Sequence, residues 1–397
     1  MPHLPIKTSG SKLQNHLRYF LNLALRMNKV SKFAFACLLC FGGSTYGSTL
    51  GPRSTHPLAF MHGLPSGESP GWKNKKWFYS ELQYGNYWNA PSSFEDKRTG
   101  DYYTYRTDFE QALLHLENGF ALNKELAVSV GLPIVYRYGG FMDQALDDWH
   151  IFVGADRFRR PYFQKNQSRW SIERNGIEQL TSPTNNGLGN ALLKMKYWFY
   201  QIHDPEGEPA YKENLGASVS TQIALPLRGA SSGLSTGNAE LSALLHFGSH
   251  VAGKLYFWGS ASLTKKAPNP LMTDWPQKTW AQMYETWFEY KLKENWTLIA
   301  QLRYESPLME ASYLNFIYHS TEDKYQDAER AASGWNGLTS WRATESLGFR
   351  YRVAENKTFT FLFQEDFTLG DNDGRGNILY VHGTPDVALI GQFQVQY

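Results

Sequence analysis

Residues 385–397 read PDVALIGQFQVQY and end the 397-residue chain. One face of this stretch carries Val387, Leu389, Gly391, Phe393, Val395 and Tyr397. The other carries Ala388, Ile390, Gln392, Gln394 and Gln396. A period of two is that of a β-strand, whose successive side chains point to opposite sides. The second face turns polar toward the end, while the first stays apolar up to the final aromatic ring. At the edge of an open sheet, such a strand would invite edge-to-edge aggregation. A sheet closed into a barrel has no edge, so the stretch predicts a last strand that pairs back onto the first. An ordinary sandwich strand is the alternative reading.

The same search along the chain finds twelve alternating stretches bounded by turn residues: 76–88, 102–116, 120–136, 189–201, 215–227, 238–248, 253–263, 280–292, 295–305, 341–353, 357–368 and 385–397. In 215–227, Leu215, Ala217, Val219, Thr221, Ile223, Leu225 and Leu227 share one face, opposite Gly216, Ser218, Ser220 and Gln222. Phe359, Phe361, Phe363 and Phe367 make another apolar row, whereas Glu345 interrupts that of 341–353. The connections alternate in length. Those at 117–119, 202–214, 249–252, 293–294 and 354–356 are short apart from 202–214, and Asn118-Gly119 is read as one of the turns. Those at 89–101, 137–188, 228–237, 264–279, 306–340 and 369–384 are long. Transmembrane barrels have this asymmetry, with short periplasmic turns and long external loops. The expected fold is therefore all-β: an antiparallel transmembrane β-barrel of about twelve strands, with a long external loop at 137–188 carrying a short helix at 141–153. The C-terminal run of alternating apolar residues with Phe393, Val395 and Tyr397 resembles the insertion signal of bacterial outer-membrane barrels. That likeness implies the barrel-assembly machinery as a partner.

The other end fits export. Met27 to Gly47 reads MNKVSKFAFACLLCFGGSTYG, with Lys29 and Lys32 before the apolar stretch Phe33–Phe41 and small residues after it. This is the form of a secretory signal peptide, with a core too short to span a membrane as a helix. The signal is complete from Met27, which makes Met27 an alternative start to Met1. The expected organisation is a leader and signal at 1–47, a periplasmic segment at 48–75, and the barrel at 76–397. Neither Cys37 nor Cys40 follows a small residue as a lipidation site requires, so ordinary cleavage is expected. Residues 1–47 hold six of the 39 basic residues and none of the 37 acidic ones, so the formal charge of +2 becomes −4 without them. Nothing in that balance points to nucleic acid. Both cysteines lie in the leader, which leaves the rest without disulfides or thiolate metal ligands. No apolar run after residue 50 is long enough for a transmembrane helix, yet the chain has 24 Tyr and 13 Trp, as suits the membrane–water boundaries of a barrel.

Charges of both signs fall on the face expected to line the lumen: Arg106, Asp108, Glu110, Glu125, Lys194, Lys196, Glu285, Glu289, Arg303, Arg342, Arg350 and Arg352. They are read either as a structural ion-pair network or as a constriction that selects a solute. In the loop at 137–188, Phe141, Leu146, Ile151 and Val153 are placed on one side of the helix. Asp143, Asp147, Asp148 and His150 lie around it, followed by Arg157, Arg159 and Arg160. A connection this long is able to fold inward and plug the lumen. Asp147, Asp148 and His150 lack a metal-ligand spacing, and neither a metal nor a cofactor is assigned. Catalytic signals are poor. His319 and Ser320 are adjacent and would point to opposite faces of a strand, and DNDGRGN at 371–377 places Arg375 where a calcium ligand belongs.

The elements around Gly139, Gly140, Asp143, His150 and Arg157, then Gly187, Leu188, Gly189 and Asn190, resemble an uncharacterised family of bacterial outer-membrane β-barrel proteins. This chain has Asn190 where Asp is commoner and Leu227 where Thr is common. The resemblance implies a barrel in contact with outer-membrane lipid and no particular chemistry. The expected role is passage of a small solute, gated by the loop at 137–188. A structural or adhesive barrel, an outer-membrane hydrolase and a soluble periplasmic β-protein are kept as rivals, in that order.

Overall fold

The computed structural model describes residues 50–54, 56–72, 75–153, 164–182, 186–202, 215–317, 338–339, 341–354, 356–365 and 387–396. All of them belong to the unit spanning 44–397. The expected signal peptide, Arg157, Arg159, Arg160, His319, Ser320, the run 371–377 and Tyr397 lie outside the described residues.

The strands are β1 (Lys76–Asp96), β2 (Tyr102–Ala121), β3 (Leu126–Tyr138), β4 (Arg169–Arg174), β5 (Ile177–Ser182), β6 (Asn186–Leu188), β7 (Ala191–Gln201), β8 (Gly216–Leu225), β9 (Glu240–Ala252), β10 (Leu255–Lys265), β11 (Trp280–Lys293), β12 (Trp296–Glu305), β13 (Leu314–Ile317), β14 (Arg342–Ala354), β15 (Lys357–Glu365) and β16 (Val387–Gln396). Twelve of them form a continuous antiparallel ring, because β1 hydrogen-bonds both to β2 and to β16. The expected barrel is thus present, and the C-terminal strand does close it. Each strand of the ring pairs with the strand on either side, as a lipid environment requires.

The molecule is inside-out relative to a soluble protein. Leu82, Leu193, Met195, Val219, Leu245, Leu298 and Leu347 point outward and are exposed, while Glu81, His115, Glu285 and Arg303 point inward and are buried. Aromatic side chains gather at the two ends of the outer face. Phe120, Tyr197, Tyr200, Tyr290 and Trp296 sit near the tight turns, and Tyr136, Trp280 and Tyr284 near the long connections. This is the distribution expected of the two boundary belts of a membrane barrel.

One expected turn is misplaced. Asn118-Gly119 lies inside β2, and the chain reverses at 122–125, where the Asn123 side chain accepts from the N–H groups of Glu125 and Leu126. The glycine serves a close approach instead: a Cβ on Gly119 would lie 2.0 Å from the Trp77 indole. Gly119→Ala should therefore cost about 1–3 kcal/mol through overpacking, read as a lower temperature for loss of the compact, heat-modifiable gel band. The same change in a Trp77→Leu background should cost far less.

β1 and β2 run past the ring at the end with the long connections. There β13 pairs with β1, and the β4–β5 hairpin pairs with β2. The hairpin turns at Asn175-Gly176, both with positive φ, the arrangement favoured in two-residue hairpin turns. Inside this extension, Phe94, Tyr103, Tyr105, Phe109, Trp170 and Trp275 form an apolar cluster. Outside it, hydrogen bonds from Arg174, Asn175 and Thr99 hold the Asp101 carboxyl down at about 2. A depressed carboxylate stabilises above its unfolded value near 4 and loses that contribution as pH falls through its folded value. Amide exchange at residues 97–102 should accordingly accelerate between about pH 4 and pH 2, and Asp101→Asn should abolish that step.

Candidate functional site: a filled lumen

Residues 50–72, expected in the periplasm, are buried inside the barrel. They run as a hairpin, with Leu50 bridged to Glu68 and Gly51 N–H donating to Gly67 O at 2.8 Å. A short helix, α1 (Pro57–Met61), forms the tip. His56 caps it by accepting from Ala59 N–H at 3.4 Å, and Pro57 occupies the first turn, where no N–H is needed. The face of α1 carrying Leu58, Ala59 and Met61 packs into the aromatic cluster of the extension. The filler is therefore apolar at the end with the long connections and polar along its shaft.

That shaft is bonded to nine of the twelve strands of the ring. Gln392 of β16 donates to Leu50 O at 3.2 Å. On β1, Glu81 accepts from Arg53 N–H at 3.3 Å and Gln83 donates to Arg53 O at 3.2 Å. The Arg53 guanidinium meets His115 of β2 at 3.3 Å and Glu117 at 3.9 Å. Glu305 of β12 accepts from Ser54 at 3.0 Å, Glu285 of β11 from Gly67 N–H at 3.1 Å, and Ser260 of β10 from Glu68 N–H at 3.1 Å. Lys194 and Lys196 of β7 each reach Glu68 at 3.3 Å. Gln222 of β8 donates to Gly63 O at 3.0 Å, and Glu240 of β9 pairs with His62 at 2.7 Å.

Arg303 is the centre of this seam. Its guanidinium donates to two carbonyls of the filler, Pro52 O at 3.2 Å and Pro65 O at 3.0 Å. It also pairs with two wall carboxylates, Glu285 at 2.8 Å and Glu305 at 2.6 Å. Arg342 adds a bond to Glu305 at 3.0 Å. The planar fork of arginine suits such multidentate work, and a lysine would satisfy fewer of these acceptors.

The other charges expected in the lumen divide. Lys194, Lys196, Glu285, Glu289, Arg303, Arg342 and Arg350 face inward, with Arg350 and Glu289 paired at 2.8 Å. Arg106, Asp108 and Glu110 do not. They alternate with the inward-facing Tyr105, Phe109 and Gln111 and point outward, and Arg106 and Asp108 pair at 2.9 Å. Glu125 is exposed in a tight turn, and Arg352 sits at the rim on Glu294 at 3.0 Å. The cause is alternation: on β2 the odd-numbered Tyr105, Phe109, Leu113 and His115 face inward, so the even-numbered charges face out. Sequence reasoning missed Arg53, His56, His62 and Glu68, because a segment without periodicity reads as linker. The clue available was the pair His56 and His62, two of the chain's eleven histidines within seven residues.

The described residues of the loop at 137–188 pass over the lip and form no part of the filler. Gly140, with φ +71°, turns the chain over the lip, and the N–H groups of Phe141 and Met142 donate to outward-facing Glu110, the first at 2.6 Å. A second helix, α2 (Asp143–Val153), follows at the expected place. Its polarity agrees with the expected one only in part: Leu146 is buried and Asp148 exposed, but Asp143 and Asp147 are buried and Phe141 and Ile151 exposed.

A model of the DUF3187 family, described as proteins of unknown function, matches residues 49–323. The chain belongs to that family. The match begins at the filler, so the hairpin is inside the region the family shares. Two residues of the earlier resemblance have structural roles here: Gly140 makes the lip turn, and Asn190 donates to Met61 O at 2.9 Å, holding the last turn of α1. An aspartate carboxylate at that position would have no N–H to give.

No curated protein matches in sequence. Solved structures similar to this chain include an outer-membrane channel from Pseudomonas putida F1, at 9% identity and TM-score 0.44, covering 81% of this chain and 95% of that one. A Pseudomonas aeruginosa FadL homologue is similar at 10% identity and TM-score 0.35, covering 89% and 99%. The toluene transporter TbuX of Ralstonia pickettii follows at 9% identity and TM-score 0.33, covering 90% and 96%.

Proposed function

We propose that this protein is an outer-membrane channel for a small solute, closed at rest by its own residues 50–72. The observation that carries the reading is the chemistry of the seam between filler and wall. Over most of its length the filler is held by ion pairs and hydrogen bonds, such as Arg53 to Glu81, Glu68 to Lys194, and Pro65 O to Arg303. Buried ion pairs gain little over their hydrated state, because desolvation offsets most of the attraction. Water entering the lumen would re-solvate both sides of such a seam at modest cost, which an interlocked apolar core would not permit. A barrel that serves only to anchor loops has no need of a filler that water is able to release.

In this reading, export by a cleaved signal peptide delivers the chain. The terminal strand, ending in Phe393, Val395 and Tyr397, engages the assembly machinery, and no catalysis is involved. The function assigned to the loop at 137–188 passes to the N-terminal hairpin. The rival is a structural barrel presenting its extension outside the cell. The deciding measurement is flux of small sugars and ions through liposomes holding the full chain, compared with a chain lacking 50–72. Flux in the deletion alone, or stronger in the deletion, supports a gated channel. Two proteins as tight as empty liposomes would leave the structural barrel.

A further inference from the structure

We propose that α2 is a membrane-interface helix, whose exposed aromatic stripe is inserted among the lipids at the end of the barrel with the long connections. The proposal rests on the membrane-barrel reading and adds a second contact with the bilayer, made by a helix outside the ring.

The stripe is defined by helical spacing. Ala145, Trp149 and Phe152 fall within a narrow arc of α2, Phe141 lies two residues before its start, and all four are exposed, Phe152 to 82%. The Trp149 and Phe152 rings lie 6.0 Å apart. The opposite arc holds Asp143, Leu146 and Asp147, all buried. Asp143 accepts from the outward-facing Asn86 at 2.9 Å, and Asp147 pairs with Lys165 at 2.8 Å. The helix thus turns two of its three carboxylates toward the protein and its aromatic rings away from it; the third, Asp148, is exposed beside the stripe and accepts from Gln144 at 2.8 Å. A helix facing water has the reverse arrangement. The one environment on this molecule that favours such an inversion is the one the barrel wall itself faces.

Position agrees with polarity. The start of the helix is fixed to the outside of the wall by Glu110, which receives Phe141 N–H, Met142 N–H and the Tyr84 hydroxyl. Phe141 stacks on outward-facing Tyr84 at 5.9 Å, and Tyr84 contacts Tyr138, which contacts Tyr136. The stripe of α2 is therefore continuous with the aromatic belt of the wall. Rings at that depth favour the boundary between headgroups and acyl chains, and an amphipathic helix lying there buries its apolar face to a shallow depth. The occupant of the stripe is accordingly the lipid leaflet, and not another protein.

The test uses nitroxide labels on single cysteines in the full chain with Cys37 and Cys40 replaced by alanine. Labels go at Phe152→Cys and Trp149→Cys, with Leu82→Cys as a wall control and Lys97→Cys as an aqueous one. In liposomes, the collision ratio of oxygen to a water-soluble nickel chelate should be several-fold higher at 152 and 149 than at 97, and approach that at 82. Nickel-accessible labels at 152 and 149, with 82 still in lipid, would overturn the interface helix and leave the barrel reading standing. A nickel-accessible label at 82 would overturn the membrane reading itself. Labels at 152 and 149 shielded from both reagents would mean a protein covers the stripe, which also overturns the proposal. The two reporters are independent, so misfolding of one variant leaves the other to decide.

Discussion

Deleting residues 50–72 should convert a silent or rarely conducting protein into a steadily open pore, raising small-ion conductance per molecule by about tenfold or more. The ring does not depend on the filler for its backbone pairing, since β1 bonds to both β2 and β16 without it. The wall residues left behind are of both signs. Lys194 keeps Glu117 at 3.4 Å, Arg303 keeps Glu285 and Glu305, and Arg350 keeps Glu289. Water entering the lumen would hydrate what remains unpaired. A twelve-strand ring is wide enough to pass small solutes once emptied, though far narrower than a large porin. Planar-bilayer recording of the two proteins checks this. Equal conductance would show that the hairpin closes nothing.

The second large effect is expected from Arg303→Ala. One side chain ties two filler carbonyls to two wall carboxylates. Its removal leaves Glu285 and Glu305 facing each other across a buried gap, with Arg342 and Gln301 on the wall and Ser54 and Gly67 N–H on the hairpin to offset them. Breaking a buried ion pair by removing one partner costs about 3–5 kcal/mol. Here part of that penalty is relieved by unseating the hairpin and admitting water. The closed state should lose several kcal/mol relative to the open one, so open probability rises steeply. Neutralising one orphaned carboxylate, as Glu285→Gln in the Arg303→Ala background, should restore part of the closure. A double variant no more closed than the single one would mean that lost carbonyl bonds, and not stranded charge, open the pore. The non-additivity is the informative quantity, as for any pair in direct contact.

The ring was legible from sequence because its signal is local: the alternation in 215–227 or 385–397 is written in consecutive residues, and a one-residue slip would turn every apolar side chain to the wrong face. Turn length carried the orientation of the connections. The filler was not legible for the opposite reason. Its bonds join residues far apart, such as Ser54 to Glu305, and the segment has no period of its own. Two Asn-Gly pairs show the limit of local rules. Asn118-Gly119 has the letters of a turn but occupies a strand, where the missing Cβ makes room for Trp77. Asn175-Gly176 is a true hairpin turn inside what reads as an unstructured connection. The lumen assignment failed at Arg106, Asp108 and Glu110, because on β2 the row facing inward is the aromatic one and the charged row faces out, where it meets other parts of the protein. The buried carboxylates of α2 were missed because their partners, Asn86 and Lys165, are distant in sequence.

Gln392 reaches Glu81 of β1 at 2.9 Å as well as Leu50 O at 3.2 Å, so one side chain of the last strand joins the first strand and the hairpin. This makes the order of assembly part of the architecture. The hairpin precedes β1 in the chain, yet the ring has to be completed around it. The seam between β1 and β16 is where that enclosure ends, and Gln392 sits on the seam. A chain that zipped this seam before its hairpin was in place would have to thread the segment into a finished cylinder. One that gathered the strands around the hairpin would meet no such obstacle, and the last bond to form would also be the one that locks the gate inside.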